Sequence, residues 1–303
     1  MGVGRITQGM ISQRTLTNIR DQLQRLSSLQ NQMGTGLRVN RPSDDPIDAR
    51  RGVNLRTLIG KNEQFLSNIQ DAQPTLTEGA DVLHRIVNVI HRVRELTLQG
   101  ANETNSQEQL DLIALEINQL LEETFSAANH QTNGRYIFAG TRTLTPAYSE
   151  TRVAGSITNV TYQGNGNAIQ IAPSEGALVG INETGPAAFQ NTGDIFQTLI
   201  GIRDDLRAGD QANLQTARLG ELDGAFDDLL LSESRLGAVE NSFNRIASST
   251  EDFIVRLEGL LSEKIDADFS ETMLNFNTAS VAFEAALNAG ARIIQPTLLD
   301  FVR

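Results

Sequence analysis

Apolar residues at both ends of the chain recur in alternating steps of three and four. That spacing places one narrow stripe along a helix and commits the helix to a partner. Near the start the stripe is Leu16, Ile19, Leu23, Leu26, Gln30, Met33 and Leu37. Near the end it is Met273, Phe276, Ser280, Phe283, Leu287, Gly290 and Ile294, with small Ala279, Ala282, Ala286 and Ala289 alongside. A seam this narrow buries too little apolar area to offset the entropy of ordering an isolated helix, so each end needs a second helix. Charge favours pairing of the two ends. Residues 1–42 carry six arginines against Asp21, and residues 250–303 carry nine carboxylates against Arg256, Lys264, Arg292 and Arg303. Exposed ion pairs contribute only about 0 to 1 kcal/mol each, so apolar contact has to carry most of the pairing.

Between the ends a longer pattern passes through Leu55, Leu58, Asn62, Phe65, Ile69, Ala72, Leu76, Ala80, Leu83, Val87, Ile90 and Arg94. As one helix, residues 46–99 would extend for about 80 Å at 1.5 Å per residue, and Pro74 should kink or restart it. A further helix over roughly 106–130 is expected to stop at Asn133-Gly134, and two more are expected over 194–208 and from 211 to about 262. "RYIFAGT", "SITNVTYQG" and "NAIQIAPSE" alternate apolar and polar residues and are separated by Gly-Asn turns such as "GNGN", the pattern of a small β insertion. The expected fold is mainly α, an elongated rod of long helices with coiled-coil termini and a small β-rich insertion. Its parts would be a terminal coiled-coil domain of 1–42 plus 264–303, a helical bundle rod domain of 43–134 plus 191–263, and a β-rich insertion domain of 135–190.

The residue inventory offers little to catalysis. There is no Cys among the 303 residues, which removes thiolate chemistry and disulfides, and there are only three His. His84 and His91 are two turns apart rather than one. His91 and Glu95 could share a metal, but two ligands do not make a site, and His130 stands near a helix end. "GNGN" lacks the third glycine and the strand-to-helix setting of a dinucleotide loop. No catalytic residue, cofactor site or metal site is assigned, and the chain is not expected to be an enzyme. A net charge of −12 argues against a nucleic-acid partner. No stretch approaches the roughly 20 apolar residues of a membrane helix, and the N-terminus lacks the apolar core of a cleaved signal.

The most conspicuous polar segment is "LRVNRPSDDPIDARRG", residues 37–52. Asp44, Asp45 and Asp48 could in principle gather a divalent cation. The same order also suits a helix start, with Asp45 as N-cap, Pro46 at the first helical position and Asp48 at the third. Gly34 and Gly36 suit the end of the preceding helix, and Pro42 keeps the link extended. A third reading makes Arg38, Arg41, Asp44, Asp45, Asp48 and Arg50 a contact with a neighbouring subunit.

Five segments taken together extend the reading. "MGTGLRVNRPSDDPIDARRG", "NGRYIFAGTRTLTPAY", "VTYQGNGNAIQIAPSEG", "DIFQTLIGIRDDLRAGD" and "ALNAGARIIQPTLLDFV" resemble, in order and across nearly the whole chain, the hook-associated protein 3 (FlgL-type) family of bacterial flagellar hook-filament junction proteins, part of the flagellin-like superfamily. The C-terminus departs from the usual flagellin ending. The resemblance implies an inner coiled-coil layer that orders on assembly, a helical bundle outside it and a β-rich domain facing outward. It also implies export in an unfolded state through the flagellar type III channel and an extracellular place on the flagellum. The implied partners are other copies of the chain in a helical assembly, a neighbouring hook-associated protein on the hook side, flagellin on the filament side and an export chaperone at the C-terminal helix. The residues expected in the axial coiled coil are Leu16, Ile19, Leu23, Leu26, Met33, Phe276, Phe283, Leu287, Ile294 and Leu298. A filament-forming flagellin is the nearest alternative. A cytoplasmic coiled-coil scaffold would explain the heptads but neither the β insertion nor the oppositely charged ends.

Overall fold

Local capping chemistry decides where each helix begins and ends in the computed structural model, which describes residues 8–294, with the backbone alone at Gln8 and 292–294. Helix α1 (Gln8–Thr35) stops at Gly36, whose φ of 73° lies in the left-handed region that glycine adopts without a Cβ penalty. α2 (Pro46–Gly100) starts behind Asp45, and α3 (Gln107–Ala128) behind a reciprocal capping box between Ser106 and Gln109. Three short hairpins follow: β1 (Gln131–Thr132) with β2 (Arg135–Tyr136), β3 (Tyr148–Val153) with β4 (Ser156–Tyr162), and β5 (Gln170–Ile171) with β6 (Val179–Gly180). The short α4 (Gly185–Phe189) leads to α5 (Ile195–Ala208), capped by the Asp194 carboxylate and ended by Gly209. α6 (Gln211–Asn213) and a π-helical turn (Leu214–Arg218) then feed α7 (Leu219–Ile265), and α8 (Phe269–Ile294) closes the series.

Two sequence expectations are corrected here. α2 does not restart at Pro74. Proline removes one backbone donor, but Ile69, Ala72 and Leu76 on either side are fully buried, and that packing outweighs one missing hydrogen bond. Asn133-Gly134 does not cap a helix. Both residues have positive φ, 53° and 73°, and they form the two-residue turn that pairs Thr132 with Arg135, while α3 ends earlier at Asn129. A second such turn, Ala154-Gly155, joins β3 to β4. Only Arg135 and Tyr136 of "RYIFAGT" are in a strand. Ile137, Phe138 and Ala139 are buried in the core instead, and the chain turns away at Gly140.

The chain divides into two compact units, residues 1–61 with 253–303 and residues 62–252, and α2 and α7 contribute to both. The bounds of the units fall inside α2 and α7, and the three hairpins lie in the second unit. In that unit Leu76, Leu83, Ile90 and Leu96 of α2, Ile113, Ile117 and Leu121 of α3, Phe196, Leu199 and Leu206 of α5, and Leu222, Leu229 and Phe243 of α7 form one core with the hairpins. Polar rungs fix α7 antiparallel to α2: Gln73–Asn244 at 3.1 Å, Thr77–Glu240 at 3.2 Å, His84–Glu233 at 3.1 Å and Arg94–Asp223 at 2.8 Å.

Buried polar groups tie the hairpins to the helices. The Arg203 guanidinium is enclosed and donates to the Ile157 carbonyl at 2.7 Å and to Asn118 Oδ1 at 3.1 Å, joining α5 to β4 and α3. Asp228 on α7 accepts from the backbone and hydroxyl of Thr192 and from Asn191, holding the loop before α5. Burial pushes its carboxyl up, but these hydrogen bonds hold it below the ordinary carboxylate value. In the aromatic cluster of Phe138, Tyr148, Tyr162, Phe189 and Phe196, the two tyrosines differ. Tyr162 Oη donates to the Phe138 carbonyl at 3.0 Å and the Asn165 carbonyl at 2.8 Å, whereas Tyr148 Oη is buried without a partner. Removing the unpartnered hydroxyl with Tyr148→Phe should leave stability unchanged or raise it. Tyr162→Phe takes the hydroxyl donor from the Asn165 carbonyl, while the Phe138 carbonyl keeps the Gly185 N–H at 2.8 Å, and should cost about 0.5 to 1.5 kcal/mol in urea denaturation followed by circular dichroism.

Candidate functional site

The terminal unit carries both groups of residues singled out from sequence. α1 and α8 pack antiparallel, and their ends are joined through the Leu37–Asp266 bridge, with Arg38 N donating to the Ile265 carbonyl at 2.7 Å and Ala267 N to the Gly36 carbonyl at 2.9 Å. The helices pack closely at Gly290, where a Cβ would stand 3.1 Å from Ile19 Cδ1 and 3.2 Å from Thr15 Cγ2. Beside the pair, Ile59, Ile254 and Leu257 form a small core with Leu55 and Leu261. Gly52 lies so close to Ile265 that any side chain there would collide.

The covered stripe on α1 runs through Thr15, Ile19, Gln22, Leu26, Leu29 and Met33, and on α8 through Thr272, Phe276, Ala279, Phe283, Ala286 and Gly290. Ile19, Leu26, Met33, Phe276 and Phe283 of the expected seam are therefore in it. Leu16, Leu23 and Leu287 are not: they are set one position off and are 46%, 52% and 45% exposed. The cause is close packing. At one residue per 100° of turn, Thr15 and Leu16 both neighbour Ile19, and the Gly290 contact selects the smaller side chain. The alanines beside the α8 seam were the sequence signal for this rotation. The side chain of Ile294 and the whole of Leu298 lie outside the described residues.

The displaced residues do not stand alone. Met10 on α1 and Phe269, Met273, Leu274 and Val281 on α8 are also exposed, so α8 carries large apolar side chains on its outer face as well as on its covered stripe. A helix of that kind is stable only when surrounded.

The loop between α1 and α2 is a joint. Asp45 Oδ1 accepts from Ile47 N and Asp48 N, each at 3.0 Å, as an N-cap does. Asp44 accepts from Asn40 N at 3.1 Å and Arg41 N at 2.8 Å, which closes the turn before it. Arg38 Nη2 binds Asp48 at 2.6 Å and the Lys264 carbonyl at 2.5 Å, clamping the start of α2 to the end of α7 within this unit. The three carboxylates are thus spent on backbone and arginine, and among the described residues no three His, Cys, Asp or Glu gather as a metal site. Arg41 and Arg50 are exposed and make no ion pair among the described residues. A polar recess beside α1 is lined by Gln24, Ser27, Asn31, Asn40, Arg41 and Asp44. In the other unit, His91 packs edge-on against Phe226, Glu95 pairs with Arg92, and His130 bonds Glu78 at 3.2 Å. The suggested His91–Glu95 pairing is not formed.

Residues 6–143 match the family described as the bacterial flagellin N-terminal helical region. Across 275 residues the chain is 25% identical to flagellar hook-associated protein 3 of Escherichia coli, covering 85% of this chain and 87% of that protein. The N-terminal part of this chain carries the flagellin helical region. The flagellar filament 33 kDa core protein of Treponema phagedenis is 24% identical over 301 residues, 97% of both chains. In fold, this flagellin-like chain is similar to a putative flagellar hook-associated protein from Vibrio parahaemolyticus, with a TM-score of 0.66 at 19% identity over 74% of this chain and 100% of that one. It is likewise similar to hook-associated protein 3 of Legionella pneumophila, with a TM-score of 0.62 at 19% identity over 69% and 97%. Among the described residues no helix is long and apolar enough to cross a membrane.

The Arg38 clamp has a measurable consequence. Its hydrogen bond holds the Asp48 carboxyl below the ordinary carboxylate value, so its contribution is present above that value and is lost as pH falls through the lowered one. An NMR titration should place the Asp48 midpoint below about 3.9, and Arg38→Met should bring it back up.

Proposed function

We propose that this flagellin-like chain is the hook-filament junction subunit of a bacterial flagellum, a structural protein that self-assembles in a helical array. It would meet another hook-associated protein on the hook side and flagellin on the filament side. The observation that carries self-assembly is the uncovered apolar flank of the α1–α8 pair, which a monomer leaves in water. Leu16, Leu23, Met273 and Leu287 on one side and Leu274 and Val281 on the other would be covered by the terminal helices of neighbouring copies. Ile19, Leu26, Met33, Phe276 and Phe283 would form the seam inside each copy, continued by Ile294 and Leu298. Contacts that do not close on themselves build such an array, and a different subunit at each end would limit its length.

The junction role, rather than a filament role, rests on kinship with hook-associated protein 3 over most of both chains and on the "NRPSDDPI" and "NGRYIFAG" segments. Arg38, Asp45 and Asp48 hold the joint, and Arg41, Asp44 and Arg50 are proposed to face a neighbouring copy. Export in an unfolded state through the flagellar type III channel, and a chaperone that covers the apolar C-terminal helix before assembly, complete the reading. The full-length match to the Treponema filament core protein favours a second reading, a filament subunit. Gold-labelled antibody on detached flagella separates the two. Label confined to the hook end of each filament is the expected result, and label along the whole length would establish the filament subunit instead.

A further inference from the structure

Charge is divided unevenly between the two units. Residues 62–252 carry 26 Asp and Glu against 11 Arg and no Lys, whereas residues 1–61 with 253–303 carry 14 Lys and Arg against 11 Asp and Glu. Six of those eleven arginines, at 92, 94, 152, 203, 218 and 235, are already spent on carboxylates of their own unit. Copies brought together through the acidic unit alone would repel one another, so an array needs a basic face to meet it.

One helical face supplies it. On α2, Gly52, Leu55 and Ile59 turn toward the small core of the terminal unit, which leaves Ile47, Arg50 and Val53 outward with Arg56 beside them. Ile47 and Val53 are 56% and 61% exposed, and Arg50 and Arg56 have no ion pair among the described residues. The counterpart is on α3. Leu110, Ile113, Ala114 and Ile117 enter the core, and the opposite face presents Glu108, Asp111, Leu112 and Leu115, with the two leucines 68% and 55% exposed. The capping box and the Gln107–Asp111 bond at 3.0 Å hold that first turn of α3 in place without neutralising its carboxylates.

We propose that the Ile47–Arg50–Val53 face of one copy docks on the Glu108–Asp111–Leu112–Leu115 face of a second copy, leucines against Ile47 and Val53, carboxylates against Arg50 and Arg56. This inference rests on the self-assembly reading and adds the pair of surfaces to it. Each face combines exposed apolar side chains with one sign of charge, and the signs are opposite, so the contact selects its register as well as its partner. The other exposed leucine pair of the acidic unit, Leu230 and Leu231, is less exposed and lies near Arg235, which would oppose an arginine face.

The absence of cysteine makes the test direct. Two full-length variants, Val53→Cys and Leu115→Cys, are mixed under conditions in which the unmodified chain sediments as oligomers, and then oxidised. Disulfide-linked dimer should exceed that from either variant alone by about fivefold or more, because docking raises the effective concentration of the two thiols. Replacing the second variant with Leu231→Cys should give only background, and raising the ionic strength should reduce the 53–115 yield. Oligomers with background 53–115 cross-linking would overturn the proposed faces and leave self-assembly standing. An unmodified chain that stays monomeric at every concentration would overturn the self-assembly reading and this inference with it.

Discussion

The contact of α1 with α8 at Gly290 sets the character of the terminal unit. Position 290 has no side chain, and Thr15 and Ile19 lie against the space that a Cβ there would fill, so close packing favours the stripe that carries the smaller residue. The inward stripe is then narrow and mixes large apolar residues, Ile19, Leu26, Phe276 and Phe283 among them, with small or polar ones: Thr15 and Gln22 on one side, Thr272, Ala279 and Ala286 on the other. Five more bulky residues, Leu16, Leu23, Met273, Leu274 and Leu287, are left on the flanks. A pair optimised for its own stability would bury them. A pair that leaves them out is shaped for neighbours.

The other unit shows the opposite economy. Its helices bury leucine, isoleucine and phenylalanine almost completely, its antiparallel α2–α7 pairing is marked by four polar rungs, and its hairpins are tied in by Arg203, Asp228 and Tyr162. It has the features of a self-sufficient folded body. Among its described residues the terminal unit has one small cluster, around Ile59, Ile254 and Leu257, together with the Arg38 clamp to Asp48 and the Lys264 carbonyl. The joint between α1 and α2 is accordingly rich in fixed hydrogen bonds where apolar burial is thin, and its acidic residues are consumed in making it.

Much of this was legible in the sequence because it depends on spacing along the chain. The long helices, the Asp45-Pro46 start of α2 and the Gly36 end of α1 follow from local rules that need no knowledge of the fold. What could not be read depends on which surfaces meet. A three-four repeat beginning at Leu16 is equally compatible with one beginning at Thr15, and only the glycine on the facing helix decides between them. Pro74 reads as a break, and tertiary packing of Ala72 and Leu76 overrides it. Asn133-Gly134 suits a helix end or a hairpin equally well, and the pairing of Thr132 with Arg135 makes it a hairpin. Arg203, Asp228 and the π-helical turn carry no local signature, since their partners lie far away in sequence.

The central claim is that the α1–α8 pair is only half covered in one copy and is completed by others. Amide hydrogen exchange, residue by residue, tests it most directly, because exchange reports the free energy of local opening. In the isolated chain the amides of α1 and α8 should exchange far faster than those of α2 between Ile69 and Leu96, and assembly should slow them by orders of magnitude. Equal protection of α1, α8 and the buried part of α2 in the isolated chain, unchanged on assembly, would contradict the account.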